Sequence, residues 1–313
     1  MIHNFNEMLA DEGYRPPQRL AVAAAADRSV LAAVKEARGR GLAQPLLFGD
    51  ANEIRRICES LHLRLPDDAI VHCASDLDAA RLAVQAVSEG RAEVLMKGMI
   101  HTDDFLRAVL NKEVGLRTGA LLSHVFLCEI DAGARLLFVT DAAMNIAPDL
   151  TQKAQILLNA VYLARIFRIE KPKVAVCAAV EVVNPAMPHT LEAAALSKMS
   201  DRGQFKDCII DGPFALDNAV SPHAARVKKI HSPVAGHADI VLCPDVESGN
   251  MMVKCFAHLA GGRLAGVIVG AAAPIVLTSR ADNAEAKMLS IAVATRMAAV
   301  TRMEKLKIGK VRY

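Results

Sequence analysis

Short apolar runs alternate with helical segments along most of this sequence, and no other feature constrains the fold as strongly. Residues 20–25 form one such run, and Val30, Val34 and Ala37 then recur at helical spacing. Strands that alternate with helices of about ten to fifteen residues predict βαβ units and parallel sheets with right-handed crossovers. Further strands are predicted at residues 45–48, 70–73, 94–96, 173–179, 208–211 and 240–243. We therefore expect an α/β fold.

Two neighbouring apolar runs lead into a polar segment near the end of the chain. Residues 266–270 and 274–277 are β-branched and lack polar alternation, which is typical of parallel strands covered on both faces. Thr278, Ser279 and Arg280 follow, where ligands bind in α/β sheets. Arg280 offers a planar donor fork suited to phosphate or carboxylate, and Ser279 a hydroxyl that can donate to an oxyanion. Alternatively, Thr278 and Ser279 cap the next helix and Arg280 is a surface residue.

Polar residues follow other predicted strands as well. Lys97 and Gly98 end one strand and Thr102 is predicted to cap the next helix, which gives a second candidate anion site. Asp141 and Asn145 lie in a later loop between a strand and a long helix. Such loops carry functional residues more often than cores do, although helix capping is an alternative explanation for both side chains.

Composition limits the classes of protein that this chain can represent. Hydrophobic residues make up 53% but aromatics only 4%, so the interior must consist of small aliphatic side chains in close-packed helices and parallel strands. The length of 313 residues suits two domains. The net charge of +3 fits a small polyanionic ligand and falls short of a nucleic-acid-binding surface.

Cysteine usage and hydropathy predict the cellular compartment of the protein. The seven cysteines contain no C-x-x-C pair and are odd in number, which indicates neither a disulfide framework nor a zinc site. The first residues include acidic side chains and lack a signal-peptide pattern. The longest uncharged apolar run, residues 264–277, is shorter than the roughly 18 residues a membrane helix needs. We predict a cytoplasmic protein that binds neither membrane nor nucleic acid.

Several common catalytic motifs do not occur in the sequence. It has no G-x-G-x-x-G after a strand, no G-x-x-x-x-G-K-[ST], no G-x-S-x-G and no H-E-x-x-H. Ser123 and His124 are neighbours on a predicted strand and point to opposite faces, so they cannot pair as in a hydrolase. These observations disfavour a Rossmann dehydrogenase, a P-loop kinase, a serine hydrolase and a metal site.

Five segments together carry a family resemblance. They are LMKGMIHTDDFLRAVL at residues 95–110, LLSHVF at 121–126, DAAMNIAPDLTQKAQI at 141–156, DGPFALDNAV at 211–220 and PIVLTSRADNAEAK at 274–287. In this order they resemble the phosphate acetyl/butyryltransferase family over nearly the whole chain. The S-R-A-D-x-A-E pattern is more similar to the butyryl-type branch.

The resemblance implies an architecture and a reaction. The expected fold is a pair of α/β domains with parallel-type sheets, like isocitrate and isopropylmalate dehydrogenases, with the active-site cleft between domains. Residues 1–142 plus 285–313 would form the first domain and residues 143–284 the second. The reaction is acyl-CoA + phosphate = acyl phosphate + CoA for acetyl to butyryl groups. Coenzyme A is then a substrate, no metal or tightly bound cofactor is expected, and the protein is a homodimer or larger homo-oligomer.

The resemblance also assigns residues. Ser279 and Arg280 fall on the family's catalytic Ser-Arg pair. The acetyl-type members have a catalytic Asp six residues beyond that Arg, where this chain has Ala286, so the base stays open between Asp282 and Glu285. The positions predicted to bind substrate are Lys97, Gly98, Thr102, Ser123, Asp141, Asn145 and Asn250.

Two other functions are alternatives to the transferase. An NAD(P)-dependent decarboxylating dehydrogenase of the same architecture would need clustered metal-binding aspartates and an arginine-rich substrate loop, and the sequence shows neither. A non-catalytic ligand-binding homologue would use the same strand ends, because a binding pocket and an active site occupy the same place in such folds. The intact Ser279-Arg280 pair favours the enzyme.

Overall fold

The computed structural model describes residues 1–11 and 17–312. In chain order its helices and strands are α1 Phe5–Ala10, β1 Gln18–Ala23, α2 Arg28–Gly39, β2 Ala43–Gly49, α3 Ala51–Ser60, β3 Ile70–His72, α4 Asp76–Ser88, β4 Val94–Lys97, α5 Thr102–Val109, β5 Ser123–Ile130, β6 Arg135–Thr140, α6 Leu150–Ile166, β7 Lys173–Cys177, α7 Pro188–Asp201, β8 Ile209–Phe214, α8 Leu216–Val220, α9 Pro222–Val227, β9 Ile240–Leu242, α10 Val246–His258, β10 Leu264–Val269, β11 Ile275–Val276 and α11 Ala284–Glu304. Strands alternate with helices as the sequence indicates, and the predicted α/β class is confirmed.

The chain forms two compact units. The first unit comprises Met8–Ala120 and Ala265–Lys305, and the second comprises Met1–Glu7, Leu121–Leu264 and Leu306–Tyr313. These boundaries differ from those predicted after residues 142 and 284. The reason is strand pairing: β6 pairs with β9 of the second unit, whereas β11 pairs with β4 of the first.

The sheet of the first unit runs in the order β3-β2-β1-β4-β11-β10. Its strands are parallel from β3 to β11, so the carboxyl ends of β1, β4 and β11 share one edge. The prediction of a parallel strand is confirmed for residues 274–277, because β11 runs parallel to β4, but it is wrong for residues 266–270, because β10 is antiparallel to β11. The link between them is too short for the crossover that parallel neighbours require.

The sheet of the second unit runs in the order β5-β6-β9-β7-β8. Strands β5 and β6 form an antiparallel hairpin. The other neighbours, β6 with β9, β9 with β7 and β7 with β8, are parallel. The carboxyl ends of these parallel strands therefore also meet at one edge of the second unit's sheet.

Helix α11 completes the core of the first unit. It packs on α2, β1 and β4, and side chains such as Leu289, Ile291 and Met297 are buried along it. Fully burying an aliphatic side chain of this kind contributes about 1.5 to 3 kcal/mol. Of the helices in the described ranges, none is long and apolar enough to cross a membrane.

Candidate active site

Lys97 is the last residue of β4 and lies almost completely inside the first unit. Its side chain is 3% exposed, and Nζ donates to the carbonyl oxygens of Gly98 at 3.1 Å and Ile100 at 2.9 Å. Burial lowers the pKa of Lys97, and the nearby charges of Arg280 and Lys287 lower it further. Lys97 is thus a fixed cation at the carboxyl edge of the sheet, close to two others.

Gly98 joins the loop after β4 to the end of β1 by a backbone hydrogen bond. Its N–H donates to the Ala23 carbonyl at 2.8 Å, and the Met99 N–H donates to the Ala24 carbonyl at 2.9 Å. A Cβ at Gly98 would stand 2.2 Å from the Ala24 oxygen, so a side chain would push the two backbones apart. The sequence needs glycine here for this close approach.

The predicted capping role of Thr102 is wrong. Helix α5 begins at Thr102 itself, and its N-cap is the exposed His101, which makes no side-chain capping bond. The loop that Lys97 holds through the Ile100 carbonyl ends at His101, so helical backbone starts one residue earlier than the N-cap pattern indicated. Thr102 is exposed in the first turn of α5.

Ser279 and Asp282 close a turn after β11. The Ser279 N–H donates to Asp282 Oδ2 at 2.7 Å, and the Ala281 N–H donates to Ser279 Oγ at 3.3 Å. The suggestion that Thr278 and Ser279 cap α11 is wrong, because Asn283 accepts the capping bond from the Ala286 N–H at 2.8 Å. The turn instead presents Ser279 and Arg280 as exposed side chains.

Lys287, in the first turns of α11, is a residue that the sequence reasoning missed. It is 2% exposed, and its Nζ donates to the carbonyl oxygen of Asp282. Burial lowers the pKa of Lys287, while Asp282 and Asp27 act in the opposite direction. The helical spacing could have indicated that Lys287 is buried, because Ile291 and Ala294, at i+4 and i+7 on the same face, are both fully buried.

Lys97, Arg280 and Lys287 together form what we call the cation cluster, at the edge where β4 and β11 end. Asp282 lies in the same turn as Arg280, and the exposed Glu285 lies in the first turn of α11. Cations held in a poorly hydrated setting bind a phosphate or an oxyanion more strongly than the same groups in water. The first unit thus brings together Lys97, Gly98, Ser279, Arg280, Asp282 and Glu285 of the predicted residues.

In the second unit, Asp141 organises the loop that follows β6. It is 3% exposed, and its Oδ1 accepts N–H bonds from Ala143 at 2.9 Å and Met144 at 3.1 Å. Asn145 donates through Nδ2 to the Leu122 carbonyl at 2.9 Å. Neither residue caps α6, because Asp149 does so in a capping box with Gln152. The capping alternative is therefore wrong for both.

The start of α10 packs against the same loop. This helix begins at Val246, and Asp245 is its N-cap. Asn250 Nδ2 donates to the Ala142 carbonyl at 3.0 Å. A Cβ at Gly249 would lie 2.5 Å from the Asp141 carbonyl oxygen, so glycine permits this contact.

Ser123 is fully buried at the start of β5. Its hydroxyl oxygen accepts a hydrogen bond from Asn159 Nδ2 on α6 at 2.8 Å. In the second unit the structure thus brings Asp141, Asn145 and Asn250 to one loop. It sets Ser123 inside the core, against α6.

A charge network around the buried Lys153 in the second unit was also not predicted from the sequence. Lys153 of α6 is 1% exposed and forms an ion pair with Glu192 of α7. Its Nζ lies 3.1 Å from His189 Nδ1, and His189 Nε2 lies 3.7 Å from Asp245 Oδ2. The network links α6, α7 and the N-cap of α10. The sequence pattern that could have indicated it is the position of Lys153 four residues before the buried Leu157, on the same face of α6.

Comparison with known proteins decides the family. The family model described as phosphate acetyl/butaryl transferase matches residues 69–295. The chain belongs to the phosphate acetyl/butyryltransferase family. Phosphate butyryltransferase of Clostridium acetobutylicum is 48% identical over 95% of this chain and 99% of that protein. Phosphate acetyltransferase of Thermotoga maritima is 47% identical over 92% of this chain and 98% of that protein.

A solved structure supports the same assignment. The branched-chain phosphotransacylase from Enterococcus faecalis V583 is 31% identical, with a TM-score of 0.80 over 90% of this chain and 99% of that one. The family predicted from the five sequence segments is therefore confirmed. The dehydrogenase of similar architecture is not favoured.

The opposite edge of the first unit's sheet contains a cavity of about 440 Å³ near the beginnings of β1 and β2. Arg19 and Arg91 line it, and each is already paired with a carboxylate, Glu93 and Glu89 respectively. For a member of the phosphate acetyl/butyryltransferase family, the cation cluster at the carboxyl edge is the better candidate. Across residues 1–11 and 17–312, no group of three or more His, Cys, Asp and Glu side chains is arranged to hold a metal ion.

Proposed function

We propose that the chain catalyses acyl-CoA + phosphate = acyl phosphate + CoA, for short acyl groups from acetyl to butyryl. The observation that carries the proposal is the cation cluster of Lys97, Arg280 and Lys287 beside Ser279, at a strand edge suited to phosphate. It is supported by relatives named phosphate butyryltransferase and phosphate acetyltransferase, similar over nearly their whole length. The protein is an acyltransferase.

The proposed chemistry is an attack by the coenzyme A thiolate on the carbonyl carbon of an acyl phosphate. The carbon–sulfur bond forms, the carbonyl becomes a tetrahedral oxyanion, and the carbon–oxygen bond to phosphate then breaks to release phosphate. Ser279 donates its hydroxyl to the oxyanion, and Arg280 holds the leaving phosphate with its planar fork. In the other direction phosphate attacks the thioester and the thiolate leaves.

A base is needed because a thiol has a pKa of about 8.5 and attacks as thiolate. Asp282 and Glu285 are the proposed candidates, since both flank the Arg280 turn. The proposed substrate-binding residues are Lys97, Gly98, Thr102, Ser123, Asp141, Asn145 and Asn250. Of these, Gly98 and Asp141 contribute by fixing the loops at the strand ends.

The buried thiols of Cys128 and Cys177 have no part in this chemistry. All seven cysteines are free, and burial raises the pKa of Cys128 and of Cys177 to about 12. Such thiols stay protonated and are poor nucleophiles. Free cysteines also suit a reducing compartment, which supports the proposed cytoplasmic location. Coenzyme A acts as a substrate, and the proposed reaction needs no tightly bound cofactor.

Thiol release is the direct test of the function. Adding phosphate to the protein with acetyl-, propionyl- or butyryl-CoA should release free coenzyme A, without added metal or nicotinamide. The rates can be followed with a thiol reagent, and the three substrates rank the acyl-chain preference. Loss of activity with a chelator, or reduction of NAD with a hydroxy acid, would contradict the proposal.

We also propose a homodimer or larger homo-oligomer. Large apolar side chains are exposed in the second unit, including Ile146 at 75%, Met251 at 72% and Leu259 at 82%. Exposed apolar groups are commonly covered by a partner, and a second copy of the chain is the partner that the family resemblance indicates. Light scattering at micromolar concentration should give at least twice the chain mass of 33.5 kDa. A monomeric mass would refute this.

A further inference from the structure

The structure assigns a phosphate-binding role to Lys287. We propose that Lys287 and Lys97 form a buried pair of ammonium groups that holds a phosphate dianion beside Arg280. The proposal rests on the function proposed above and adds a residue to it. It concerns the inorganic phosphate that reacts, and the same phosphoryl group in the acyl phosphate.

The first argument is burial. Lysines are almost never fully buried unless they are paired, yet Lys287 is 2% exposed and Lys97 is 3% exposed. The Lys97 ammonium group donates to the backbone carbonyls of Gly98 and Ile100, which neutralise no charge. The two ammonium groups also lie close enough for Lys287 to lower the pKa of Lys97. An anion bound between the two ammonium groups would offset the free-energy cost of burying their charges and would reduce the repulsion between them.

The second argument is the local charge balance. The nearby carboxylates are Asp27 and Asp282, and both act electrostatically on Lys287. Asp27 already accepts the capping N–H of Val30 at 2.9 Å, and Asp282 accepts the Ser279 N–H at 2.7 Å. Three cations therefore face two carboxylates, each of which already accepts a backbone N–H. The remaining positive charge favours a bound anion, and a dianion most strongly.

The third argument is position. Lys287 bonds the Asp282 carbonyl, and Asp282 in turn bonds the Ser279 N–H, so the ammonium group adjoins the turn that presents the proposed catalytic pair. The reacting phosphate must lie at this pair, whereas the phosphates of coenzyme A are separated from its thiol by a long arm. The proposal therefore commits to inorganic phosphate. Phosphate binding would also raise the lowered pKa of both lysines and keep them charged.

A purely structural role for Lys287 would be to hold the turn through the Asp282 carbonyl. Lys287→Gln separates the two roles, because an amide can still donate to that carbonyl but carries no charge. Lys35→Gln is the matched control. Lys35 is an exposed lysine of the same unit, and its Nζ also donates to a backbone carbonyl, that of Leu61 at 2.7 Å.

The experiment is calorimetric titration of wild type and both variants with inorganic phosphate, and separately with adenosine 3′,5′-bisphosphate as a probe for the coenzyme A phosphates. Lys287→Gln should weaken phosphate binding about 10- to 100-fold, the effect of losing one hydrogen bond to a charged group. Binding of the bisphosphate should change less than about twofold, and Lys35→Gln should match wild type for both ligands.

Unchanged phosphate affinity in Lys287→Gln would overturn the proposal. So would weaker binding of the bisphosphate alone, because that result would assign Lys287 to coenzyme A. If wild type binds phosphate through Lys287 but releases no thiol from any acyl-CoA, the proposed function fails and the binding role stands.

A second variant decides the question if Lys287→Gln does not fold. A guanidinium stays charged where a lysine loses its proton, so sulfate affinity should fall less in Lys287→Arg than in wild type as the pH rises toward the ordinary lysine pKa of about 10.4. Sulfate is the probe because it stays dianionic throughout. Lys97, Arg280, Asp27 and Asp282 face the site in both proteins, so their contribution is shared. An equal fall in the two proteins would overturn the proposal.

Discussion

Replacing Arg280 with Gln should lower kcat by about 100-fold or more, the usual loss when one preorganised donor to a developing charge is removed. The leaving phosphate gains charge as the tetrahedral intermediate collapses, so its interaction with Arg280 strengthens along the reaction. Such an interaction appears in kcat as well as in KM. Arg280 is exposed on the turn after β11, so the substitution should leave the fold intact. Steady-state kinetics with circular dichroism measures both effects.

Two further variants make this prediction specific. Arg280→Lys should restore only part of the lost rate, because an ammonium group cannot reproduce bidentate contact with phosphate. Arg55→Gln removes another exposed arginine of the first unit, on α3, and should keep the wild-type kcat. A near-normal kcat in Arg280→Gln would make Arg280 an ordinary surface residue and remove the catalytic pair from the proposal.

Replacing the catalytic base by its amide should cost about 100- to 10,000-fold in rate. Asp282→Asn and Glu285→Gln test the two candidates separately. The asparagine oxygen can still accept the Ser279 N–H that Asp282 Oδ2 accepts at 2.7 Å, so the turn should persist and the loss would report on proton transfer. The variant that loses the base should show a pH optimum shifted upward, because the thiol must then ionise in solution.

Rates near wild type in both Asp282→Asn and Glu285→Gln would contradict a carboxylate base at this turn. Coenzyme A would then bind as thiolate, and the cation cluster would be the cause. Positive groups near a thiol lower its pKa. The pH dependence of thiol release distinguishes the two cases. It follows the ionisation of a carboxylate if Asp282 or Glu285 is the base, and the ionisation of bound coenzyme A if the thiolate binds directly.

Local signals predicted much of the fold. The long helix predicted after the loop of Asp141 and Asn145 is α6, and the capping box of Asp149 and Gln152 fixes its start. The β-branched runs identified most strands within a few residues. The direction of β10 against β11 was missed because apolar composition reports burial and not the direction of a neighbour.

The candidate site was only partly predictable. Ser279 and Arg280 were found because they follow a buried strand and match a family pattern. Lys287 and Lys153 were missed because lysine is normally exposed, and only tertiary packing shows that these two helix positions are inside. Unit boundaries also depend on long-range pairing, such as that of β11 with β4, which sequence periodicity does not report.

The return of the chain to the first unit has a consequence for its synthesis. When a ribosome has completed Met8–Ala120, β4 still has an unpaired edge, and the face of α2 that α11 will cover is open to solvent. The partners of both surfaces, β11 and α11, are made only after the 144 residues from Leu121 to Leu264. An unpaired strand edge and an uncovered apolar helix face are sites of aggregation. The edge of β4 and the apolar face of α2 therefore stay exposed to other polypeptides until α11 leaves the ribosome.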